Sequence, residues 1–379
     1  MKIIIKIPLV ELLEKKMKLF SVVSLKIQLS FIIVGCFGVS PVVCYADEFL
    51  DAVVEFAQPG GSHFAGKSHG NALGPPDNQT INIDVPEVLT VAFMDNMVVD
   101  GPGNDLQIVE FANGDSSVDV YGSADGLNFE FLISTSGSES IDLSSFNLKT
   151  LRFLRFVGLG NGGTTPGYDL DAVVALNSVA IEYDCPTNFH VDTIIRFEQP
   201  IGSHDDGNPA SAVFNSPDSI SQSIDTPEVL EVGFSTIRVV DGPGPDFYVY
   251  EHINTDSLVN IFGSADGVNY ELLKVTYRSV AVDLADFPLD TVRTFRIEGL
   301  EDGGNTPGYD LDAIVAINFE CVDITKGDVN LDGNVDLLDV APFVFQLTNS
   351  LYSLQADING DGDLDLLDVF PFVELLSGG

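Results

Sequence analysis

The sequence contains no tryptophan, five histidines, and 17 lysines and arginines against 57 aspartates and glutamates. A formal charge of −40 repels nucleic acid and attracts divalent cations, so nucleic-acid binding is excluded. Five histidines are too few for a convincing zinc or triad site, and we identify neither a nucleophile elbow nor an H-E-x-x-H motif. Because sugar-binding sites favour tryptophan, its absence weakens the case for a lectin without excluding it.

The N-terminus carries the features of an export signal. Scattered lysines precede an apolar stretch from about Leu29 to Val43, and the small residue Ala46 follows. This pattern predicts a signal peptide over residues 1–46, cleaved before Asp47. An alternative is a lipobox at residues 33–36, which would make Cys36 a lipid anchor. No other stretch approaches the ~18 apolar residues of a membrane span. We therefore expect a secreted or cell-surface protein.

Cysteine is scarce, and only two of the four cysteines follow the predicted cleavage site. Cys185 and Cys321 stand just outside the two ends of the second repeat described next. The two ends of a β-sandwich often lie close together, so a disulfide is plausible in an oxidising compartment. Two free thiols are the alternative.

A long internal repeat organises the chain. Residue n aligns with residue n + 141 without a gap, so that "GSADGLNFE" at 122–130 meets "GSADGVNYE" at 263–271. Short runs of alternating apolar and polar residues lie between turn residues, which predicts about eight strands per copy. The expected fold is mainly β: two tandem antiparallel β-sandwiches of jelly-roll type followed by a small helical module. The predicted domains are residues 47–184, 185–321 and 322–379; we call the last the tail module.

Two acidic loops with calcium-ligand spacing lie in the tail module, at 328–339 and 357–368. Oxygen-bearing residues occupy positions 1, 3, 5, 7, 9 and 12 of each loop, and glycine stands at position 6, as in EF-hand loops. Two such loops in tandem, each followed by "LLDV" and "PFV", predict two Ca²⁺ sites. The predicted ligands are Asp328, Asn330, Asp332, Asn334, Asp336, Asp339, Asp357, Asn359, Asp361, Asp363, Asp365 and Asp368.

A short apolar helix is expected after each loop, with Asp339 and Asp368 as N-caps and a proline in the first turn. The tandem loop-helix repeats of residues 326–379 resemble a type I dockerin. The resemblance implies calcium binding and docking to a cohesin-like domain on a scaffold or cell surface, usually in polysaccharide degradation. In that family the residues at positions 10 and 11 of each loop determine which partner is recognised. Here they are Leu337, Leu338, Leu366 and Leu367, where many dockerins have Ser or Thr.

The repeats themselves resemble galactose-binding-like sandwiches in "NALGPPD" and "GSADGLNFE", and bacterial cell-surface repeats in "VVDGPGND" and "GYDLDAV". The first resemblance implies binding of carbohydrate or surface material, and the second implies a location at the cell surface more than a function. Strand periodicity places Asp169 and Asp171 on one face. If the fold brings them to the loop of Asp100 and Asp105, one further Ca²⁺ site per sandwich results. The alternative is that these aspartates form turns and that Asp169 caps backbone amides. The second copy repeats the set as Asp241, Asp246, Asp310 and Asp312.

The sequence offers a few minor candidate residues and more than one functional class. His63 and His204 are weak ligand candidates, and Tyr168 and Tyr309 are candidates for stacking on a sugar ring. We assign no catalytic residue and expect a non-catalytic binding protein. A glycoside hydrolase or lyase is one alternative, because two acids suffice for a glycosidase and their spacing is not visible in sequence. A calcium-stiffened structural spacer is the other.

Overall fold

Two sets of antiparallel sheets and a pair of short helices make up the computed structural model. It describes residues 47–58, 69–111, 116–160, 167–183, 185, 188–200, 208–214, 217, 220–252, 257–301 and 308–377. The strands of the first sandwich are β1 (Ala52–Ala57), β2 (Ile81–Ile83), β3 (Val88–Ala92), β4 (Asn96–Val99), β5 (Leu106–Glu110), β6 (Val118–Ser123), β7 (Glu130–Thr135), β8 (Glu139–Ile141), β9 (Thr150–Leu151), β10 (Phe153–Gly158), β11 (Tyr168–Ala175) and β12 (Ser178–Ala180).

The second sandwich repeats the same elements. Its strands are β13 (Thr193–Glu198), β14 (Gln222–Ile224), β15 (Val229–Gly233), β16 (Ile237–Val240), β17 (Phe247–Glu251), β18 (Val259–Ser264), β19 (Glu271–Thr276), β20 (Val280–Val282), β21 (Thr291–Val292), β22 (Thr294–Gly299), β23 (Tyr309–Ala316) and β24 (Phe319–Cys321).

In each sandwich a five-stranded sheet and a four-stranded sheet enclose the core. The first sandwich has the orders β1-β3-β10-β6-β7 and β2-β11-β5-β8, and the second has β13-β15-β22-β18-β19 and β14-β23-β17-β20. Alternating strands place one face inward, as in β6, where every second residue is buried. The predicted fold class is confirmed. No helix among the described residues has the length and hydrophobicity needed to cross a membrane.

The two sandwiches pack against each other and share a core. In β17 all five residues are buried, because Phe247 and Val249 face the second core while Tyr248 and Tyr250 contact the first sandwich. The Tyr250 hydroxyl accepts a hydrogen bond of 2.6 Å from the backbone N–H of Val53 in β1. The two sandwiches are therefore a packed pair within residues 44–379 and not beads on a linker.

A buried histidine at this interface leads to a pH prediction. The His69 ring is 2.8 Å from the Tyr248 hydroxyl, and burial, aided by the charge of Arg278, lowers the His69 pKa from 6.5 to about 3. Between those values the unfolded chain binds a proton that the folded chain does not, so the free energy of unfolding falls as the pH drops below 6.5. Between pH 6.5 and pH 5 we expect the free energy of unfolding of His69→Gln to fall by roughly 1 to 2 kcal/mol less than that of the wild type.

Urea unfolding of the wild type and of His69→Gln at a series of pH values tests this expectation. His190 is also buried with a lowered pKa, of about 4, so the variant should retain part of the slope. Identical slopes for the two proteins would contradict a titrating role for His69.

Two short helices form the tail module. Helix α1 (Val340–Asn349) begins directly after the first acidic loop, and helix α2 (Leu366–Leu376) begins at position 10 of the second. The rings of Phe343 and Phe372 stack with centroids 4.2 Å apart, and Val329 and Ala356 complete the small buried core. A disulfide joins Cys185 to Cys321, with Cα atoms 5.8 Å apart, and so ties the start of the second repeat to its end.

Candidate functional site

In each acidic loop the carboxylate of the last residue is hydrogen-bonded to the backbone near the start of the loop. One oxygen of Asp339 accepts hydrogen bonds from the backbone N–H groups of Val329, at 2.7 Å, and Asn330, at 3.0 Å. In the second loop Asp368 accepts from the backbone of Asn359 at 3.0 Å in the same way. Position 12 is thereby folded back over positions 2 and 3 in the first loop and over position 3 in the second.

The turn glycines adopt the conformation that the loop spacing predicts. Gly333 and Gly362, at position 6, have φ of +86° and +92°, in the region that L side chains rarely adopt. Their N–H groups donate to the first ligands, Asp328 and Asp357, each at 3.2 Å. The backbone of each loop is therefore shaped around its position-1 carboxylate.

The burial and the hydrogen bonding of Asp328 make the first loop suitable for a calcium ion. This side chain is fully buried, and among the described residues its Oδ1 atom has no hydrogen-bond partner. Burial is the main cause that raises the Asp328 pKa to about 6, although Arg293 opposes the shift. A buried carboxylate with a free oxygen is unfavourable unless a cation is bound, so the donor set suits a hard divalent cation.

The helix starts differ from the prediction. Asp336 and Asp365, at position 9, are the side-chain caps, since they accept from the N–H groups of Leu338 and Leu367. Asp339 and Asp368 in turn accept from the backbone N–H groups of Asp336 and Asp365, at 2.8 and 3.0 Å, which completes two capping boxes. The predicted caps were wrong because the helical turn begins at position 10 and not after position 12.

The proline of the second helix also lies deeper than predicted. Pro342 is in the first turn of α1, but Pro371 is inside α2, because α2 is α-helical from Leu366.

Several large apolar side chains at the starts and on the outer sides of the two helices are exposed. We call these residues together the helix face; they are Leu337 (80% exposed), Leu366 (79%), Phe370 (69%), Leu367 (65%), Leu338 (58%), Val373 (54%) and Val344 (49%). It contains all four leucines that the dockerin resemblance assigns to partner recognition. So many exposed apolar side chains within one small module are a candidate for a protein-binding surface.

The carboxylates of the first sandwich do not form the predicted four-acid site. Asp100 and Asp105 come together with Asp142, with oxygens within 4.8 Å of one another. Asp105 immediately precedes β5, and the pairing of Leu106 with Ala175 puts it at the far end of β11 from Asp169. Antiparallel register separates the two pairs by about five residues, or roughly 17 Å along the strand. The same register holds for Asp241, Asp246, Asp310 and Asp312 in the second sandwich.

Buried aspartates in these sandwiches anchor loops. Asp105 accepts from Gly101 and Leu143 N–H groups at 2.8 and 2.7 Å, and Asp246 accepts likewise from Gly242 and Leu284 at 2.8 and 2.6 Å. Each therefore ties its "DGPG" loop to the loop that follows the eighth strand.

The aspartates of β11 also hold loops. Asp171 accepts from the backbone amides of Asp77 and Asn78, both at 3.1 Å. Asp169 is bonded to the Asn82 side chain. The turn-forming alternative is thus the one that the contacts favour.

The two copies differ in charge at this loop. In the first sandwich Lys149 forms an ion pair with Asp100 at 2.9 Å. The equivalent of Lys149 in the second sandwich is Asp290, so the cluster of Asp241, Asp246 and Asp283 lacks the lysine. Burial raises the Asp246 pKa.

Sequence analysis missed several features. Asp47, Asp51 and Asp95 form a third carboxylate group, in which burial and then Asp95 raise the Asp51 pKa to about 7. No motif links these residues, since strand pairing alone brings them together. A G-x-S-x-G string was also overlooked, "GKSHG" at 66–70. A 3-10 turn follows it, and not the α-helix that a nucleophile elbow requires.

The remaining weak candidates do not form sites in the described residues. Tyr168 and Tyr309 are fully buried and donate to the carbonyls of Gly137 and Arg278, so they offer no ring to a sugar. His63, His204 and Cys36 lie outside the described residues, as does the predicted signal peptide.

Comparisons with known proteins give no family. No protein-family model matches the sequence, and no curated protein matches it. Among solved structures, a Bacteroides ovatus protein assigned as an alpha-L-fucosidase is similar over 65% of this chain and 39% of its own, with 10% identity and a TM-score of 0.20. Truncated AlyQ, with CBM32 and alginate lyase domains, matches over 73% and 98%, with 13% identity and a TM-score of 0.23. Allantoicase matches over 72% and 94%, with 8% identity and a TM-score of 0.22. Such low scores assign no function.

Proposed function

We propose that this chain is an exported, non-catalytic protein whose tail module binds two Ca²⁺ ions and docks to a cohesin-like partner. The observation that carries the proposal is the pair of closed loops, in which buried Asp328 keeps an unpartnered oxygen. When bound, calcium supplies the positive charge that lets six or more oxygens approach one another. The residues of the chain hold those oxygens in place through the backbone hydrogen bonds of positions 1, 9 and 12.

The helix face is the docking surface in this proposal. Its leucines follow directly after calcium ligands at position 9, so the loops orient the side chains that meet the partner. Exposed leucine and phenylalanine on neighbouring helices suit a partner with an apolar, non-acidic surface, because the chain itself is strongly acidic. The two capping boxes fix the start of each helix and therefore the positions of the leucines in the helix face.

The sandwiches bind carbohydrate or cell-surface material in this proposal, at the cell surface or in a polysaccharide-degrading assembly. Support comes from the repeat patterns and the export signal. A structural spacer is the second candidate, and the shared core around Tyr248 and Tyr250 favours it, because it makes the two sandwiches one stiff body.

Binding assays on residues 47–379 test the proposal. We expect a purified cohesin panel to contain a domain that binds in calcium and not in chelator. Replacing Leu337, Leu338, Leu366 and Leu367 by serine should weaken that binding about 100-fold or more, because buried interface residues carry most of the energy. Leu127→Ser is the control, because Leu127 lies on the first sandwich and is as exposed as Leu338, at 58%. Binding that is unchanged in the four-leucine variant would contradict the docking role.

Affinity gels that contain polysaccharides separate the two roles of the sandwiches. Retardation by one polysaccharide would support carbohydrate binding. Unchanged mobility in every gel would favour the spacer.

A further inference from the structure

The first calcium loop is seated on the second sandwich through Leu331, at position 4. Leu331 is fully buried, is not a predicted ligand, and lies outside the core of the tail module. A Cβ atom on Gly233 of β15 would lie 2.6 Å from Leu331 Cδ1, so the leucine fills the space that a side chain there would need. The equivalent of Gly233 in the first sandwich is Ala92. Glycine at 233 therefore makes room for the loop.

The second loop has no such seat. Leu331 has φ of +62°, a conformation that is common for glycine but rare for L residues other than Asn and Asp. Its counterpart in the second loop is Gly360, which has φ of +75° and is exposed, with nothing within 4 Å of an added Cβ. Both loops need a left-handed residue at position 4, but only the loop that faces the sandwich has a leucine. The leucine gains burial there that offsets its unfavourable backbone conformation.

Polar contacts join the same two surfaces. Arg293 donates to the carbonyls of Phe234 and Ser235, both at 3.3 Å, and its guanidinium lies 3.6 Å from Asp328 Oδ2. Gln355 donates to the Ser235 carbonyl at 2.9 Å, and Gln346 of α1 donates to the Ile194 carbonyl at 2.8 Å. All these contacts are buried or nearly so. The second sandwich thus holds a calcium ligand of the first loop in position.

We propose that the first loop is a calcium clamp between the tail module and the second sandwich, while the second loop serves the module alone. The proposal rests on calcium binding by these loops, as proposed above. The seat fixes the ligands of the first loop before calcium arrives, so calcium binding there and docking of the module on the sandwich strengthen each other. Such coupling is reciprocal, because each event must change the free energy of the other by the same amount.

Calcium titration calorimetry on residues 47–379 tests the clamp, with Asp328→Ala and Asp357→Ala assigning the two sites. Leu331→Gly gives the first loop the residue of the second. We expect its first-loop affinity to fall about tenfold, within the usual range of coupling between sites, and its second-loop affinity to stay unchanged. Gly233→Ala should also weaken the first loop. The double variant should be no weaker than Leu331→Gly, because the methyl group then occupies vacated space.

A tighter or unchanged first loop in Leu331→Gly would overturn the clamp, since release of backbone strain alone predicts that result. A wild-type chain that binds no calcium would overturn the proposed function together with the clamp. Two bound ions with no effect of Leu331→Gly would overturn the clamp alone.

Hydrogen exchange on the wild type needs no variant. We expect calcium to slow exchange in β13 and at residues 233–236, which carry the seat. The matched segments of the first sandwich, β1 and residues 92–95, should not respond. Protection confined to the tail module would overturn the clamp.

Discussion

Replacing Asp328 and Asp357 together by alanine is expected to remove the calcium-dependent part of the protein's stability. A ligand present at 100 times its dissociation constant stabilises the folded state by about 2.7 kcal/mol per site, so two sites contribute about 5 kcal/mol. The double variant should unfold at the same temperature in calcium and in chelator. Docking to a cohesin should be lost as well, because the loops orient the helix face.

In chelator the loss of stability from Asp328→Ala should be smaller than in calcium. Two effects then oppose each other: the substitution removes a buried carboxylate with an unpartnered oxygen, but it also leaves the guanidinium of Arg293, 3.6 Å from Asp328 Oδ2, without its acid. Asp323→Asn changes an exposed acid just before the first loop and is the control for altered charge. A calcium-dependent shift in melting temperature that survives in the double variant would contradict the assignment of these ligands.

Replacing Phe372 by alanine is expected to unfold the tail module in the absence of calcium. The ring stacks on Phe343 in a core of four buried side chains, and loss of a buried phenylalanine typically costs about 3–5 kcal/mol. So small a core stabilises the tail module only slightly. Bound calcium must therefore supply much of its free energy of unfolding. Phe370→Ala, two residues earlier in the same helix, removes an exposed ring and should be close to neutral.

Helical circular dichroism during urea unfolding distinguishes the two phenylalanine variants. Phe372→Ala should lose the helical signal in chelator and regain part of it in calcium. If both variants behave like the wild type, the stacked pair does not hold the module together.

Much of the fold was predictable because the determining patterns are local. Alternating residues in runs such as 118–123 specify strands, and the gapless repeat transfers each strand to the second copy. The calcium spacing was equally visible, since position 6 must turn sharply and "DG" recurs there. Caps were misplaced because the spacing alone does not say at which acid the helical turn begins.

Longer-range features depended on register and packing. Asp169 could not be placed relative to Asp105 until β11 was paired with β5. The buried pair Tyr248 and Tyr250 did leave a signal: strand β17, "FYVYE", is apolar on both faces, whereas its counterpart "LQIVE" alternates. The sequence also shows that position 4 is Leu331 in the first loop and Gly360 in the second. The reason for this difference is apparent only from the packing of Leu331 on Gly233.

Calcium titration calorimetry on wild-type residues 47–379, beginning in chelator-treated buffer, counts the ions that the chain binds. We expect two bound ions per chain, one lost in Asp328→Ala and the other in Asp357→Ala. A chain that binds no calcium, or that keeps both ions when these two aspartates are replaced, would contradict this expectation.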